Sequence, residues 1–160
     1  MFDLISGIPV HPLVVHAIVV LLPLALVGTM AIAVRPKWRV TYGPLVVGAA
    51  LASTILCPIA TSSGEALEKR VGDPGNHAAL GDTLVWFFLA LLLVSAALVW
   101  LQRRANEPSN DNQASGQRLL TGVAALSVLV AVAAGVQVYR VGDSGAHAVW
   151  DDVPAATGGK

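Results

Sequence analysis

The 160-residue chain is 55% apolar and only 12% charged, and its ten basic and ten acidic side chains cancel to a net charge of zero. An ordinary soluble domain carries about 25% charged residues, so this composition argues against one, and no nucleic-acid partner is expected. The single cysteine, Cys57, excludes an internal disulfide.

Residues 4–34, 40–64, 83–102 and 119–139 contain no Asp, Glu, Lys or Arg. Each run reaches the roughly 20 apolar residues that cross a hydrocarbon core. A lipid-embedded backbone must satisfy its own hydrogen bonds, which makes helices the default. The pattern predicts one transmembrane domain over residues 1–160, with helices near 11–34, 42–61, 80–101 and 119–139.

The first helix opens on "HPLVVH", residues 11–16. Its apolar run is too long for a signal-peptide h-region and follows Asp3 rather than a basic n-region. His11 falls at the headgroups, and His16 about a turn and a half inside the apolar run. A buried imidazole needs a partner, and intramembrane ionisable groups are functional by default. The connection 35–41 carries Arg35, Lys37 and Arg39. The second helix is dense in small residues, with Gly48 and Ala52 four apart, as Ala131 and Gly135 are in the fourth; such spacing favours close packing in lipid. Cys57 reads as a small apolar filler. The loop 62–79 leads to the third helix, where Asp82 needs a partner as His16 does. The linker 102–118, rich in Asn, Ser, Gln and Gly, reads as a flexible connector, and the tail 140–160 follows the fourth helix.

The connections 35–41 and 102–118 hold six cations against two anions, a net +4; the N-terminus, the loop 62–79 with Asp82, and the tail hold four cations against eight anions, a net −4. Positive residues stay in the cytoplasm, so the expected topology is multi-pass in the inner (plasma) membrane, linker inside and both termini outside.

On the outer side the chain repeats itself. "RVGDPGNHAALGD" (70–82) returns as "RVGDSGAHAVWDD" (140–152), each following an even-numbered helix. The expected fold is therefore all-α: a membrane four-helix bundle of two helical hairpins in parallel internal repeat. Gly-Asp-x-Gly reads as a tight turn in both copies, aiming Asp73 at His77 and Asp143 at His147. The two copies would then form one composite site.

All four histidines fall on that side. Two imidazoles from facing helices suit a b-type haem serving extracytoplasmic electron transfer. His16 and His77 are the leading pair for the haem, with His11 and His147 as a second pair or its rim. The repeated carboxylates support an alternative: zinc or copper held by His16, His77, His147, Asp73, Asp82 and Asp143. A third reading is a structural or partner-binding subunit. No P-loop or hydrolase signature is present, so an enzyme with its own substrate is not expected. The expected partners are the lipid bilayer and a redox protein, and a homo-oligomer fits the same reading.

Three motifs carry a family resemblance. "PVHPLVVHAIVVLLPLAL" (9–26), "HAALGD" (77–82) and "GVQVYRVG" (135–142) resemble the HPxxVH opening, third-helix histidine and closing signature of a bacterial four-helix membrane family, domain of unknown function 2231. The resemblance runs to about residue 147. Here Ala17-Ile18 replaces the Phe-Pro that often follows the second histidine of that family. It implies the four-helix fold and no substrate. Some members are joined to Rieske-type iron–sulfur modules, which implies electron transfer.

Overall fold

In the computed structural model, which describes residues 4–5, 7–72, 75–107 and 113–150, four long helices dominate. They are α1 (Val10–Val34), α2 (Trp38–Val71), α3 (Asn76–Ala105) and α4 (Gln113–Trp150). All four are long and apolar enough to cross a membrane. A two-residue antiparallel ribbon precedes them: β1 (Leu4–Ile5) pairs with β2 (Ile8–Pro9) around Gly7, whose φ is +84°.

The helices outrun the spans expected from charge. α2 continues to Val71 and α3 begins at Asn76, so the expected loop 62–79 shrinks to the short connection between them, and α4 continues to Trp150, so part of the expected tail is helix. The physical reason is that charge marks the edge of the hydrocarbon, not the end of a helix. Glu65 and Lys69 stand four apart, a helix-supporting spacing, and Gly72 at φ +102° ends α2. At 1.5 Å per residue α2 is about 51 Å long and α4 about 57 Å, against a hydrocarbon core of about 30 Å.

Consecutive helices pack as antiparallel neighbours, α4 closes on α1, and α1 meets α3 only slightly across the bundle. One core cluster joins Ile18, Leu22, Leu26, Phe88, Leu91, Ala131 and Ala134 with others; a second joins Ile32, Val46, Leu98, Val99 and Leu120. α1 and α3 begin, and α2 and α4 finish, at one end of the bundle. All four histidines lie toward that end, hereafter the histidine end. The opposite, arginine end carries Arg35, Lys37, Arg103, Arg104 and Arg118, with Arg35 over the Trp38 ring at 5.7 Å and Arg104 over Trp100 at 4.1 Å.

Arg39 differs from those surface cations, because it is buried. Its Nε–H donates to Ile32 O (2.9 Å), Nη2–H to Ala33 O (2.8 Å) and Nη1–H to the Gln102 Oε1 (3.0 Å). Those two carbonyls belong to the last turn of α1, which has no helical donors left to serve them. A cation there also faces the negative end of the α1 dipole. One side chain of α2 thus caps α1 and ties both to α3.

Close helix approach rests on glycines other than those picked out by spacing. A Cβ at Gly28 would stand 2.7 Å from Val46 Cγ2, and one at Gly43 would collide with Val99, whereas one at Gly48 would meet nothing. Gly43→Leu should therefore lower the thermal midpoint in detergent, since overpacking costs about 1–3 kcal/mol. Gly48→Leu should leave it unchanged or raise it. Equal midpoints for the two variants would contradict this packing.

Candidate functional site

His11 stands in the first turn of α1 and His77 in that of α3. Each imidazole lies half-buried on the final stretch of the following helix. His11 Nδ1 is 2.8 Å from Ala60 O and 3.5 Å from Ser63 Oγ; His77 Nδ1 is 3.1 Å from Val141 O and 3.4 Å from Ser144 Oγ. In both places the serine hydroxyl donates to the same carbonyl, at 3.0 Å for Ser63 and 2.9 Å for Ser144. In both places a glycine makes room. A Cβ at Gly64 would stand 3.1 Å from His11 Cε1, and one at Gly145 would stand 2.9 Å from His77 Cε1.

A carbonyl only accepts, so the proton of each neutral ring sits on Nδ1 and the lone pair on Nε2. That is the tautomer a metal-ligating imidazole uses when its other nitrogen is held by the backbone.

The other two histidines are arranged differently. His16 is exposed, with Nδ1 2.6 Å from Pro12 O of its own helix. His147 is exposed as well, with Nδ1 2.9 Å from Asp143 O and 3.8 Å from Asp143 Oδ2, so the expected sharing of a helix face by this Asp–His pair holds. Asp82 is exposed and lines an open cleft between α2 and α3 with Pro58, Thr61, Ser62, Glu65 and Val85. Asp73 lies outside the described residues, as do Asp151 and Asp152. Among the described residues no three His, Cys, Asp or Glu side chains gather closely enough to hold a metal ion.

The repeated sequence folds in two different ways. In the first copy Gly72 (φ +102°) and Gly75 (φ +61°) fall between α2 and α3, outside either helix. In the second copy Gly142, Asp143, Ser144 and Gly145 lie inside continuous α4. The expectation of two matched turns is thereby corrected. Within its described residues, 140–150, nothing breaks the hydrogen-bond ladder, since a lone helical glycine is tolerated. What the second copy supplies to His77 is Ser144 and Gly145, not His147. The partners that sequence reasoning missed are the two Ser-Gly pairs, 63–64 and 144–145. Ser-Gly also occurs at 6–7 and 115–116, so the dipeptide alone could not have singled them out.

Glycine-to-alanine exchange tests the seat. In a helix interior this exchange ordinarily stabilises by about 0.5–1 kcal/mol. Gly142, with nothing near its would-be Cβ, should show that gain. Gly145→Ala and Gly64→Ala should forfeit it and fall below Gly142→Ala in thermal midpoint. A Gly145→Ala protein as stable as Gly142→Ala would remove the seat from the account.

Comparison with known proteins agrees with this architecture. No curated protein and no solved structure matches the chain. Residues 7–157 match the family described as predicted membrane protein DUF2231. The chain belongs to that family.

Proposed function

We propose that this multi-pass membrane protein is built from two equivalent hairpins whose histidine ends face outward, and that His11 and His77 are the ligands of one b-type haem serving extracytoplasmic electron transfer. The observation that carries the reading is the twin seat: two imidazoles, each held at Nδ1 by a carbonyl of the neighbouring helix, each with Nε2 left for ligation.

Burial supports the two-hairpin reading, with a register other than the seventy-residue one. Every buried residue of α3 stands 66 positions after a buried residue of α1: Phe88 after Leu22, Leu91 after Ala25, Ser95 after Thr29, Leu98 after Ile32, Val99 after Ala33. His77 follows His11 by the same 66. In α4, buried Leu120, Ser127, Ala131 and Ala134 stand 81 positions after buried Arg39, Val46, Ala50 and Ser53. Ser144 and Gly145 follow Ser63 and Gly64 by the same 81. The loops differ in length, so each helix pair carries its own offset.

This register pairs His11 with His77, and pairs His16 with Asp82 instead of with an imidazole. The haem reading therefore moves from His16 and His77 to His11 and His77. Haem asks the protein for two imidazoles, whereas a structural zinc asks for four ligands and a catalytic one for three. The two seats supply two imidazoles, the number haem asks for, and that is the reason haem is put ahead of zinc. Bound haem would supply reversible one-electron transfer. The chain's own part is to fix the tautomer and direction of both rings. The excess of cations at the other end supports placing it in the cytoplasm.

The visible spectrum of protein purified in mild detergent tests the cofactor. A Soret band, with a sharp α-band on dithionite reduction, is expected. His11→Ala and His77→Ala should each abolish it while the protein stays in the membrane; His16→Ala and His147→Ala should spare it. A colourless preparation with stoichiometric zinc or copper overturns haem in favour of an ion site, and one with neither leaves the seats as packing devices.

Topology is tested separately. A reporter active only in the cytoplasm should be silent when fused at Lys160, and one active only outside should work. The opposite result reverses the orientation.

A further inference from the structure

The two core clusters do not meet as one continuous apolar column. Between Leu26 and Ile32 on α1 stands Thr29; between Leu91 and Leu98 on α3 stands Ser95; between Leu120 and Ala131 on α4 stands Ser127. All three are fully buried, at 0% exposure. The helices are antiparallel neighbours, so the facing of Gly28 with Val46, Gly43 with Val99 and His77 with Gly145 fixes their registers. Those registers put Ser95 level with Ser127 and Thr29 within about 3 Å of that level, about two turns from the arginine end. A hydroxyl layer thus lies between two apolar clusters.

Hydrogen-bond supply in this layer is uneven. The Ser95 hydroxyl donates to Leu92 O (3.0 Å) and the Ser127 hydroxyl to Val123 O (2.8 Å), which spends their protons and leaves their oxygens able to accept. Thr29 Oγ1 is buried with no partner among the described residues. Leaving a hydroxyl dry and unpaired in hydrocarbon is costly, and lipid offers no remedy. Donor and acceptors balance if one molecule accepts from Thr29 and donates twice. Three bonds to otherwise unmet polar groups is what a buried water typically makes. The layer is also built of small side chains, between levels filled by Leu22, Phe88 and Leu91 on one side and Ile32 and Leu98 on the other.

We propose that Thr29, Ser95 and Ser127 form a binding site for a single buried water molecule, which accepts from Thr29 and donates to Ser95 and Ser127. This site stands apart from the histidine end and does not depend on what is bound there.

Thermal midpoints in detergent, read with a double-mutant cycle, test it. Thr29→Val keeps the shape and removes the donor; it should lower the midpoint by about 2–4 °C. Thr29→Ser keeps the donor and should stay near the wild type. When Ser95→Ala and Ser127→Ala are already present, Thr29→Val should lose most of its effect, as residues of one network do. A map at a resolution that shows ordered solvent should have a peak within hydrogen-bond distance of all three hydroxyls. A Thr29→Val midpoint at or above wild type overturns the site, because the hydroxyl then had nothing to lose. Strictly additive losses, or an equal loss in Thr29→Ser, overturn it as well, since both mark packing and not a shared water.

Discussion

Hydrocarbon offers no hydrogen-bond partner, and most of the arrangement follows from that. The backbone answers with four uninterrupted helices. Side-chain hydroxyls answer locally: Ser53 donates to Ala49 O, Thr54 to Ala50 O, Thr121 to Gln117 O. Gln137, buried on α4, reaches across to α3, donating to Thr83 Oγ1 (2.7 Å) and Leu80 O (3.3 Å). Arg39 answers for the end of α1. Each such bond fixes a neighbour, so satisfying polar groups and fixing helix register are one process. Apolar burial by itself gives no drive between helices, because lipid tails are as apolar as leucine, so register rests on these polar bonds together with close packing at Gly28 and Gly43.

The same constraint explains what the sequence discloses. Four spans were legible because removing charge from 20 consecutive residues is a strong signal and hydrocarbon thickness supplies the ruler. The helix ends were not, because beyond the hydrocarbon a helix is free to continue, and Glu65, Glu68 and Lys69 let α2 do so. The burial of Arg39 was hidden for a related reason: in sequence it is one of three cations in a short connection, and only the fold shows which of them meets the carbonyls of α1.

The doubled Gly-Asp-x-Gly-x-His stretch shows how polar letters mislead. Six identical residues at a seventy-residue spacing drew the eye, yet one copy turns the chain and the other continues a helix. The equivalence supported by burial is written in apolar and small residues, Leu22 with Phe88 and Ala50 with Ala131, where composition makes any alignment look acceptable. Two offsets, 66 and 81, also defeat a search for one period. His77 was singled out by the sequence in either register. Its relation to His11 was not, because the residues that make the two seats alike, Ser63-Gly64 and Ser144-Gly145, are small and common.

Where the two halves differ is as informative as where they agree. The seats under His11 and His77 match to within 0.3 Å in the distance from Nδ1 to the carbonyl. Five residues further into each helix the halves part, His16 in one and Asp82 in the other, and at the far end buried Arg39 answers to buried Leu120. Arg39 caps α1, whereas the apolar side chain of Leu120 offers α3 no such donor, and α3 ends at Arg103 and Arg104 before the linker. The asymmetry follows from connection lengths. A three-residue turn, Arg35–Lys37, leaves the carbonyls of α1 pressed against α2 and short of water, so a buried cation must serve them. The longer stretch after Ala105 lets the last turn of α3 meet solvent, and an apolar residue suffices at the equivalent place. The halves stay alike where both need the same helix contact, and diverge where one connection withholds the water that the other admits.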